Sequence, residues 1–414
     1  MILVYLCYVL ALWLWTMSAI TQEEFVFWSY FYLIVGLAVS GILIFIAWRK
    51  RKNLQIGPMI ALTLANLGAS IAFRMGEKSI SGYLKDFAYM VICFLVVFLV
   101  VRFTKIYRWK LLNVLCIAAL PMILYYTAFK GAEVNGSHLY FFGIMTLGII
   151  LTGYPFVVAT FMASPEKHYR NGNVRNLSFN MMGLLIYTFL LFGGCALCNE
   201  YGLLLVLAMT ATVIFFIRCN NWLTKMLYSA ACLAGALLVC KVVSHVHDRV
   251  VIWLNLKAAV ESEALAEKAE TALYLFRNFK RMGFYGNGIG NLPESIYRTL
   301  NSDHVLVTVM NDYGLFMAIF MIVLGAVFVR WMLIEGKNMN TYDKYLNLSS
   351  ALIVGFVILI HIASNLASFI TAGLGYPWCS DGTSANVMFT ILMAVHCGIV
   401  GRRGKNELQE RYER

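Results

Sequence analysis

The sequence predicts an all-α fold, a polytopic membrane helix bundle with about twelve transmembrane helices and one long external loop at 245–303. Two observations carry this prediction. Hydrophobic residues make up 61% of the 414 residues and charged residues only 13%, whereas soluble domains are about half apolar and about a quarter charged. Apolar runs as long as the roughly 20 residues that a spanning helix needs recur along most of the chain.

The apolar runs define the spans in chain order. They lie at 2–20, 27–48, 57–73, 84–103, 111–128, 139–163, 176–197, 201–217, 223–244, 304–329, 346–371 and 384–401. The first run lacks the basic start and the small-residue cleavage site of a signal peptide, so we interpret it as a retained spanning helix.

The distribution of Lys and Arg predicts the orientation. Basic connections follow every second span, whereas the short connections 21–26, 129–138 and 372–383 hold few Lys or Arg residues. Because positive residues mark cytoplasmic loops, we expect both termini to be cytoplasmic. The same pattern accounts for the formal net charge of +12, and no nucleic-acid partner is needed to explain it.

The ten cysteines lie mostly in apolar runs, where a free Cys behaves as a small hydrophobic residue. Cys195 and Cys198 form a single C-x-x-C pair. A zinc site needs a second pair or nearby histidines, so we favour a structural role over a redox or metal role for this pair.

The loop at 245–303 is long enough to be functional. Within it, apolar residues between Lys257 and Arg281 recur at helical spacing, which predicts an amphipathic helix near the membrane surface or packed on the bundle. The following segment, Gly283–Asp303, is rich in glycine and leads into the next span.

Asp303 is the first candidate functional residue, because it directly precedes the apolar run that begins with Val305. Two interpretations stay open. An acidic residue at a helix N-terminus can cap free N–H groups. Alternatively, the carboxylate lies at the mouth of an external cavity, where it acts as a general base or binds a divalent metal.

Cations in the same loop suggest an anionic ligand. Arg249, Lys280 and Arg281 could gather pyrophosphate oxygens, or they could form a solvated surface that contacts lipid headgroups. Three further polar residues remain open in the same way. His361 and Asn365, one turn apart in an apolar run, and Glu200, at a helix junction, could serve helix–helix hydrogen bonding or function.

Several segments together resemble a known family, the SEDS proteins of the FtsW, RodA and SpoVE type. The first, Arg249–Asn255, is similar to R-x-x-x-aromatic-L-N-P, and Gly283–Asn291 is similar to G-x-x-G-x-G-x-G-N. Ser302–Gly314 resembles H-T-D-F-I-F-x-x-x-x-E-x-G, and Gly373–Ser384 resembles G-x-P-L-P-F-x-S-Y-G-G-S. More weakly, Asn199–Gly202 resembles Q-P-D-L-G. The order of these motifs makes chance similarity a poor explanation.

The resemblance implies a division of the chain into 1–56, two additional N-terminal transmembrane helices, 57–404, the SEDS-like bundle with its external loop, and 405–414, a cytoplasmic tail. It also implies a multi-pass protein of the bacterial cytoplasmic membrane. The implied activity is a peptidoglycan glycosyltransferase that polymerises glycan strands from lipid II at the external face, in cell division or cell-shape control. The implied partner is a class B penicillin-binding protein.

The resemblance assigns roles to individual residues. Asp303 matches the family's proposed catalytic aspartate and is the expected ligand of a divalent cation, Mg or Mn. The expected substrate-binding residues are Arg249, Lys280, Arg281, Ser380 and Ser384. Together these residues would bring a sugar hydroxyl, a base and cations to one lipid-linked pyrophosphate.

The chain also departs from the family pattern. Asn135-Gly136 starts like the motif N-G-A-R-R-W but lacks its arginines, and Q-P-S-E is absent. Asn301 replaces the histidine of H-T-D. Two alternatives therefore stay open: a flippase of lipid-linked peptidoglycan precursors, and a polymerase or ligase for another polyprenol-linked glycan.

Overall fold

The structure is a computed structural model that describes residues 5–12, 26–50, 53–74, 79–134, 137–164, 179–262, 264–281, 283–284, 286, 302–337, 339–366, 370 and 372–412. Its helices are α1 (5–12), α2 (Val26–Arg49), α3 (Asn53–Arg74), α4 (Ile80–Phe103), α5 (Lys110–Lys130), α6 (Thr146–Ala163), α7 (Phe179–Leu197), α8 (Tyr201–Arg218), α9 (Trp222–Val242), α10 (Ser244–Leu254), α11 (Leu256–Glu261), α12 (Ala266–Arg281), α13 (Val305–Glu335), α14 (Thr341–Asn365) and α15 (Thr383–Tyr412). Strands β1 (Ala132–Val134), β2 (Ser137–Phe141) and β3 (Ile144–Met145) form one antiparallel sheet.

The all-α membrane bundle predicted from the sequence is confirmed. Within the described residues, 10 helices are long and apolar enough to cross a membrane, from Asn53–Ala72 to Thr383–Arg402. The second predicted span is helical as α2, and its shorter described apolar stretch is Val35–Arg49. The first predicted span, 2–20, lies largely outside the described residues, which show helix at 5–12.

The spans alternate in direction, so their connections gather at two ends of the bundle. At one end the α7–α8 corner contacts the sheet, where His138 N donates to Cys198 O at 3.1 Å. This end, which also carries α10–α12 and the starts of α13 and α15, is called the site end below. At the opposite end Arg108, after α4, pairs with Asp343 of α14. The α4–α5 connection and the α13–α14 connection, which the distribution of Lys and Arg assigns to the same side, therefore lie together.

Some predicted boundaries are wrong: the span at 346–371 ends at Asn365, the span at 304–329 continues to Glu335, and the start of the span at 139–163 differs in the type of structure. The apolar run 139–163 was expected to be helical throughout, but residues up to Met145 form β2 and β3, and the helix begins at Thr146. Tyr140 pairs with Met145 and Phe141 with Ile144 across the turn. A short apolar strand and an apolar helix look alike when only hydrophobicity is read, because neither shows a diagnostic period over so few residues.

The loop helices form a small cluster of their own. Ile252, Ala259 and Ala269 are buried together, and Leu265 and Ala272 pack against them. The amphipathic face expected within Lys257–Arg281 is therefore present, and α12 packs mainly on α11, with smaller contacts to α10 and to the membrane span α13.

Helix α13 is interrupted at Gly314, whose φ of 85° and ψ of 177° are not helical. The next two N–H groups of α13 donate to the carbonyls of Gly283 (3.3 Å) and Phe284 (3.5 Å). A Cβ on Gly286 would lie 2.5 Å from Gly314 N, so the two backbones cross in contact. Broken helices are tolerated at membrane depth when protein groups bond the freed backbone, and here the glycine-rich segment does so.

Candidate functional site

Asp303 lies at the start of α13, but its carboxylate does not cap the helix. The N-cap residue is His304, which makes no side-chain cap hydrogen bond. The free N–H of Val307 donates instead to Asn365 Oδ1 of α14 at 3.3 Å, and Asn365 Nδ2 donates to Asp303 O at 2.9 Å. Asn365 thus caps α13 and holds the Asp303 backbone in place. The Asp303 carboxylate is therefore not used to cap the helix.

Ser380 supports the same turn from the other side. Its Oγ donates to Ser302 O and accepts from Tyr376 N, both at 2.6 Å. The structure therefore places Ser380 as a clamp on the residue before Asp303, and its direct contact with substrate stays a prediction. Ser384 is half-buried in the first turn of α15, with its carbonyl near Gly148 of α6.

The backbone of Ala372 and Gly373 joins Asp303 to the α7–α8 corner. A Cβ on Gly202, two residues after Glu200, would collide with Ala372 O. A Cβ on Gly373 would lie 3.8 Å from Asp303 Oδ2. The corner that carries Glu200 and the turn that carries Asp303 therefore both pack against one short segment.

Arg249 of α10 supplies the positive charge of this cluster. Burial lowers the pKa of Arg249, and the negative charges of Asp303 and Glu200 oppose that effect. Burial raises the pKa of Asp303, while Arg249 pulls it back down. The described part of the site thus holds two acids and one guanidinium that act on each other electrostatically.

The two acids do not ionise together. Burial, and next the charge of Asp303, raises the pKa of Glu200 to about 7, and Arg249 counteracts part of this shift. The charge of Asp303 thus favours the protonated form of Glu200 near neutral pH, because a second negative charge there would face the first.

His304 completes the cluster as a neutral ring. Burial, and next the charge of Arg249, lowers the pKa of His304 to about 4. Beneath it, His361 Nδ1 lies 2.7 Å from Leu374 O, so Nδ1 carries the hydrogen and donates to that carbonyl. This bond holds the segment that lies against Asp303.

Lys280 and Arg281 end α12, and their side chains lie outside the described part of the structure. Of the predicted site residues, Asp303, Arg249 and Ser380 are thus brought together. Glu200, His304 and Asn365 belong to the same cluster but were not predicted as site residues. Glu200 and Asn365 did carry a signal, since each is a polar residue in or beside an apolar run.

A divalent cation does not find a complete set of ligands among the described residues. Magnesium prefers about six oxygen ligands, and the described part of the chain has no group of three or more His, Cys, Asp or Glu residues suited to a metal. Asp303 also shares its surroundings with the Arg249 guanidinium, which competes for the same negative charge. Metal binding by Asp303 stays a prediction, and no step below depends on it.

Comparison with known proteins agrees with the motifs. Residues 55–403 match the family model of the cell cycle proteins FtsW, RodA and SpoVE. A relative from Coxiella burnetii, described as a probable peptidoglycan glycosyltransferase FtsW, is 23% identical over 288 residues, which cover 67% of this chain and 74% of the relative.

Solved structures share the fold. A chain from a peptidoglycan synthase complex, studied for the coordination of polymerization and crosslinking, superposes with a TM-score of 0.63 at 16% identity, covering 84% of this chain and 98% of that one. The rod shape determining protein RodA of Thermus thermophilus gives a TM-score of 0.56 at 14% identity, covering 83% and 94% of the two chains. At these identities the likeness concerns the fold alone.

Proposed function

Because the chain belongs to the FtsW, RodA and SpoVE family of cell cycle proteins, also called SEDS proteins, we propose that it is a peptidoglycan glycosyltransferase that polymerises lipid II. The observation that carries this proposal is the cluster of Asp303, Glu200 and Arg249 at the site end. A base for the attacking hydroxyl and a cation for the leaving pyrophosphate are the groups that this glycosyl transfer needs, and the protonation of Glu200 sets how much negative charge lies beside them.

The proposed reaction is a substitution at an anomeric carbon. The sugar hydroxyl of one lipid-linked chain attacks the anomeric carbon of the other and gives its proton to the Asp303 carboxylate. The new bond joins the hydroxyl oxygen to that carbon, and the bond to the pyrophosphate oxygen breaks with its electron pair. Arg249 faces the anion that leaves, and a protonated Glu200 adds no negative charge that would repel it.

The depth of the cluster suits lipid-linked substrates. Asp303 lies directly before the first residue of a membrane span, and α10 and α12 lie at the same end of the bundle. A reacting sugar held there leaves its polyprenol tail in the bilayer. We place this end at the external face, as the charge alternation predicts. A reporter inserted near 263 should then report an external location, and a cytoplasmic signal would contradict this orientation.

Polymerisation of labelled lipid II by the purified protein tests the activity. We expect glycan strands from the wild type and none from Asp303→Asn, with both proteins folded to the same extent. A transfer of labelled lipid II across vesicle membranes without strand formation would instead support the flippase alternative. Strand formation only from other polyprenol-linked sugars would support the third alternative.

A transpeptidase partner is part of the proposal. The support is the fold shared with a chain of a peptidoglycan synthase complex, a structure concerned with both polymerization and crosslinking. We propose a class B penicillin-binding protein as this partner. Co-purification with such a protein, with a rise in polymerisation on mixing, is the expected result, and no association in detergent or nanodiscs would count against it.

A further inference from the structure

The β2–β3 turn carries an exposed aromatic cluster that the proposed reaction does not use. The rings of Phe141 and Phe142 meet edge to face at 4.8 Å, and the ring of Tyr126, from α5, lies 5.5 and 5.7 Å from them. Phe142 is 79% exposed at the tip of the turn. Such exposure of a large apolar side chain needs an explanation.

Turn formation does not explain Phe142. Its φ is 47° and that of Gly143 is 80°, the left-handed pair of a two-residue hairpin turn. Asn, Asp and Gly favour these positions, whereas a bulky residue there is strained. A phenylalanine that costs stability at the tip is better explained by what it contacts outside the chain.

The cluster continues the lipid-facing surface of α5. Along that helix Met122, Tyr126 and Phe129 are 70%, 44% and 71% exposed. Within the last turns of α5, Tyr126 stacks on Phe142 of the β2–β3 turn. Lys130, the last residue of α5, is also exposed. The rings thus extend an apolar surface from the bilayer to the depth of the headgroups, where Lys130 can meet a lipid phosphate.

We propose that the turn Phe141–Ile144 inserts into the membrane leaflet at the site end and anchors the site to the lipid surface. The sheet connects the turn to the α7–α8 corner, because Ser137 Oγ donates to Asn199 O at 3.4 Å and His138 N donates to Cys198 O at 3.1 Å. The two acceptors belong to the two residues that precede Glu200. Lipid is favoured over a glycan occupant because the phenylalanine rings offer no partner to sugar hydroxyls and the apolar surface is continuous with a membrane span.

Photocrosslinking tests this proposal without any assay of activity. p-Benzoylphenylalanine replaces Phe142 in protein reconstituted into nanodiscs of radiolabelled phosphatidylethanolamine and phosphatidylglycerol. We expect illumination to attach labelled lipid, as it should at Phe189, which is 75% exposed within span α7. The same residue at Glu270, exposed on α12, should attach little.

Two outcomes would overturn the proposal. One is lipid labelling at position 142 as low as at position 270. The other is crosslinking of position 142 to added glycan strands in place of lipid, which would make the turn a sugar platform. Phe142→Trp gives an independent check, since its added fluorescence should be quenched by lipids brominated near the headgroup. Unquenched fluorescence would likewise exclude insertion.

Discussion

Two aspartates near helix starts, Asp303 at the site end and Asp343 at the opposite end, have contrasting surroundings. The Asp343 carboxylate accepts from Tyr107 Oη and Arg108 Nε, both at 3.1 Å, from Asn340 Nδ2 at 3.0 Å, and from a terminal nitrogen of Arg108. Among the described residues, the Asp303 carboxylate accepts no hydrogen bond, and only its backbone is held.

This contrast separates two uses of one residue type beside an arginine. Asp343 accepts hydrogen bonds from two segments, so it joins α14 to the connection between α4 and α5. Asp303 is fixed through Asn365 and Ser380 and keeps its carboxylate oxygens for a ligand. A satisfied carboxylate stabilises the fold, whereas an unsatisfied one near a cation is available for chemistry.

The largest expected effect is on Asp303. Asp303→Asn should lower polymerisation by about 10²–10⁴-fold, the usual contribution of general base catalysis. Asn keeps the shape but cannot take the proton, and the backbone bond to Asn365 does not involve the side chain. Rates with labelled lipid II measure the loss, and melting of the purified variant should match the wild type. Full activity in this variant would contradict the catalytic role.

Arg249→Ala should have the next largest effect, on substrate use. A hydrogen bond to a charged group contributes about 1.5–3 kcal/mol, so kcat/KM for lipid II should fall by roughly ten- to hundredfold. Lys257→Ala is the matched control, since Lys257 is an exposed cation on the neighbouring α11. If Arg249→Ala fails to fold while Lys257→Ala folds normally, Arg249 serves the structure and not the substrate.

Asp343→Asn should show the reverse pattern. The substitution leaves the Arg108 guanidinium without its carboxylate and should cost about 1–3 kcal/mol of stability. Catalysis by the fraction that stays folded should be unchanged, because this aspartate lies at the opposite end of the bundle. Thermal unfolding and specific activity, measured side by side with Asp303→Asn, give the comparison. A large loss of specific activity without loss of stability would show that the two ends are not independent.

Glu200→Gln should have the smallest effect, limited to pH dependence. The folded pKa of about 7 lies above the value near 4.3 of an unfolded chain. The protonated carboxyl group therefore contributes stability that is complete below about pH 4 and is lost as pH rises through about 7.

Ionisation of Glu200 in the same range should also weaken binding of the anionic pyrophosphate, so KM for lipid II should rise above pH 7 in the wild type. In Glu200→Gln both transitions should disappear, since Gln stays neutral. They are measured as melting temperature and KM from pH 5 to 8. A variant that keeps the wild-type profile would assign the transition to another group.

Much of the fold follows from local sequence. A run of apolar residues as long as a bilayer is thick must be helical, because its backbone groups find no other partners in lipid. The ten spans of the described residues were predicted on this ground, and the grouping of their connections was predicted from the distribution of Lys and Arg. The strands up to Met145 were missed, because their apolar residues continue into α6 without a break.

The candidate site divides in a similar way. Asp303 and Arg249 were found from their place in a long loop, which is often functional, and from motif resemblance. The role of Asn365 as the cap of a different helix, and that of Ser380 as a clamp on Ser302, left no such signal. Each depends on a partner more than 50 residues away.

Sequence alone thus determined that the chain is a membrane helix bundle, where its spans lie and which residues carry unusual charge. Only the tertiary structure decided that burial raises the pKa of both acids, and that among the described residues Asp343 has hydrogen-bond donors whereas the Asp303 carboxylate has none. The physical reason is that a spanning helix is specified by its own residues through hydrophobicity. The ionisation of Asp303 and Glu200 depends instead on burial and on the charge of Arg249, brought from three separate segments by packing.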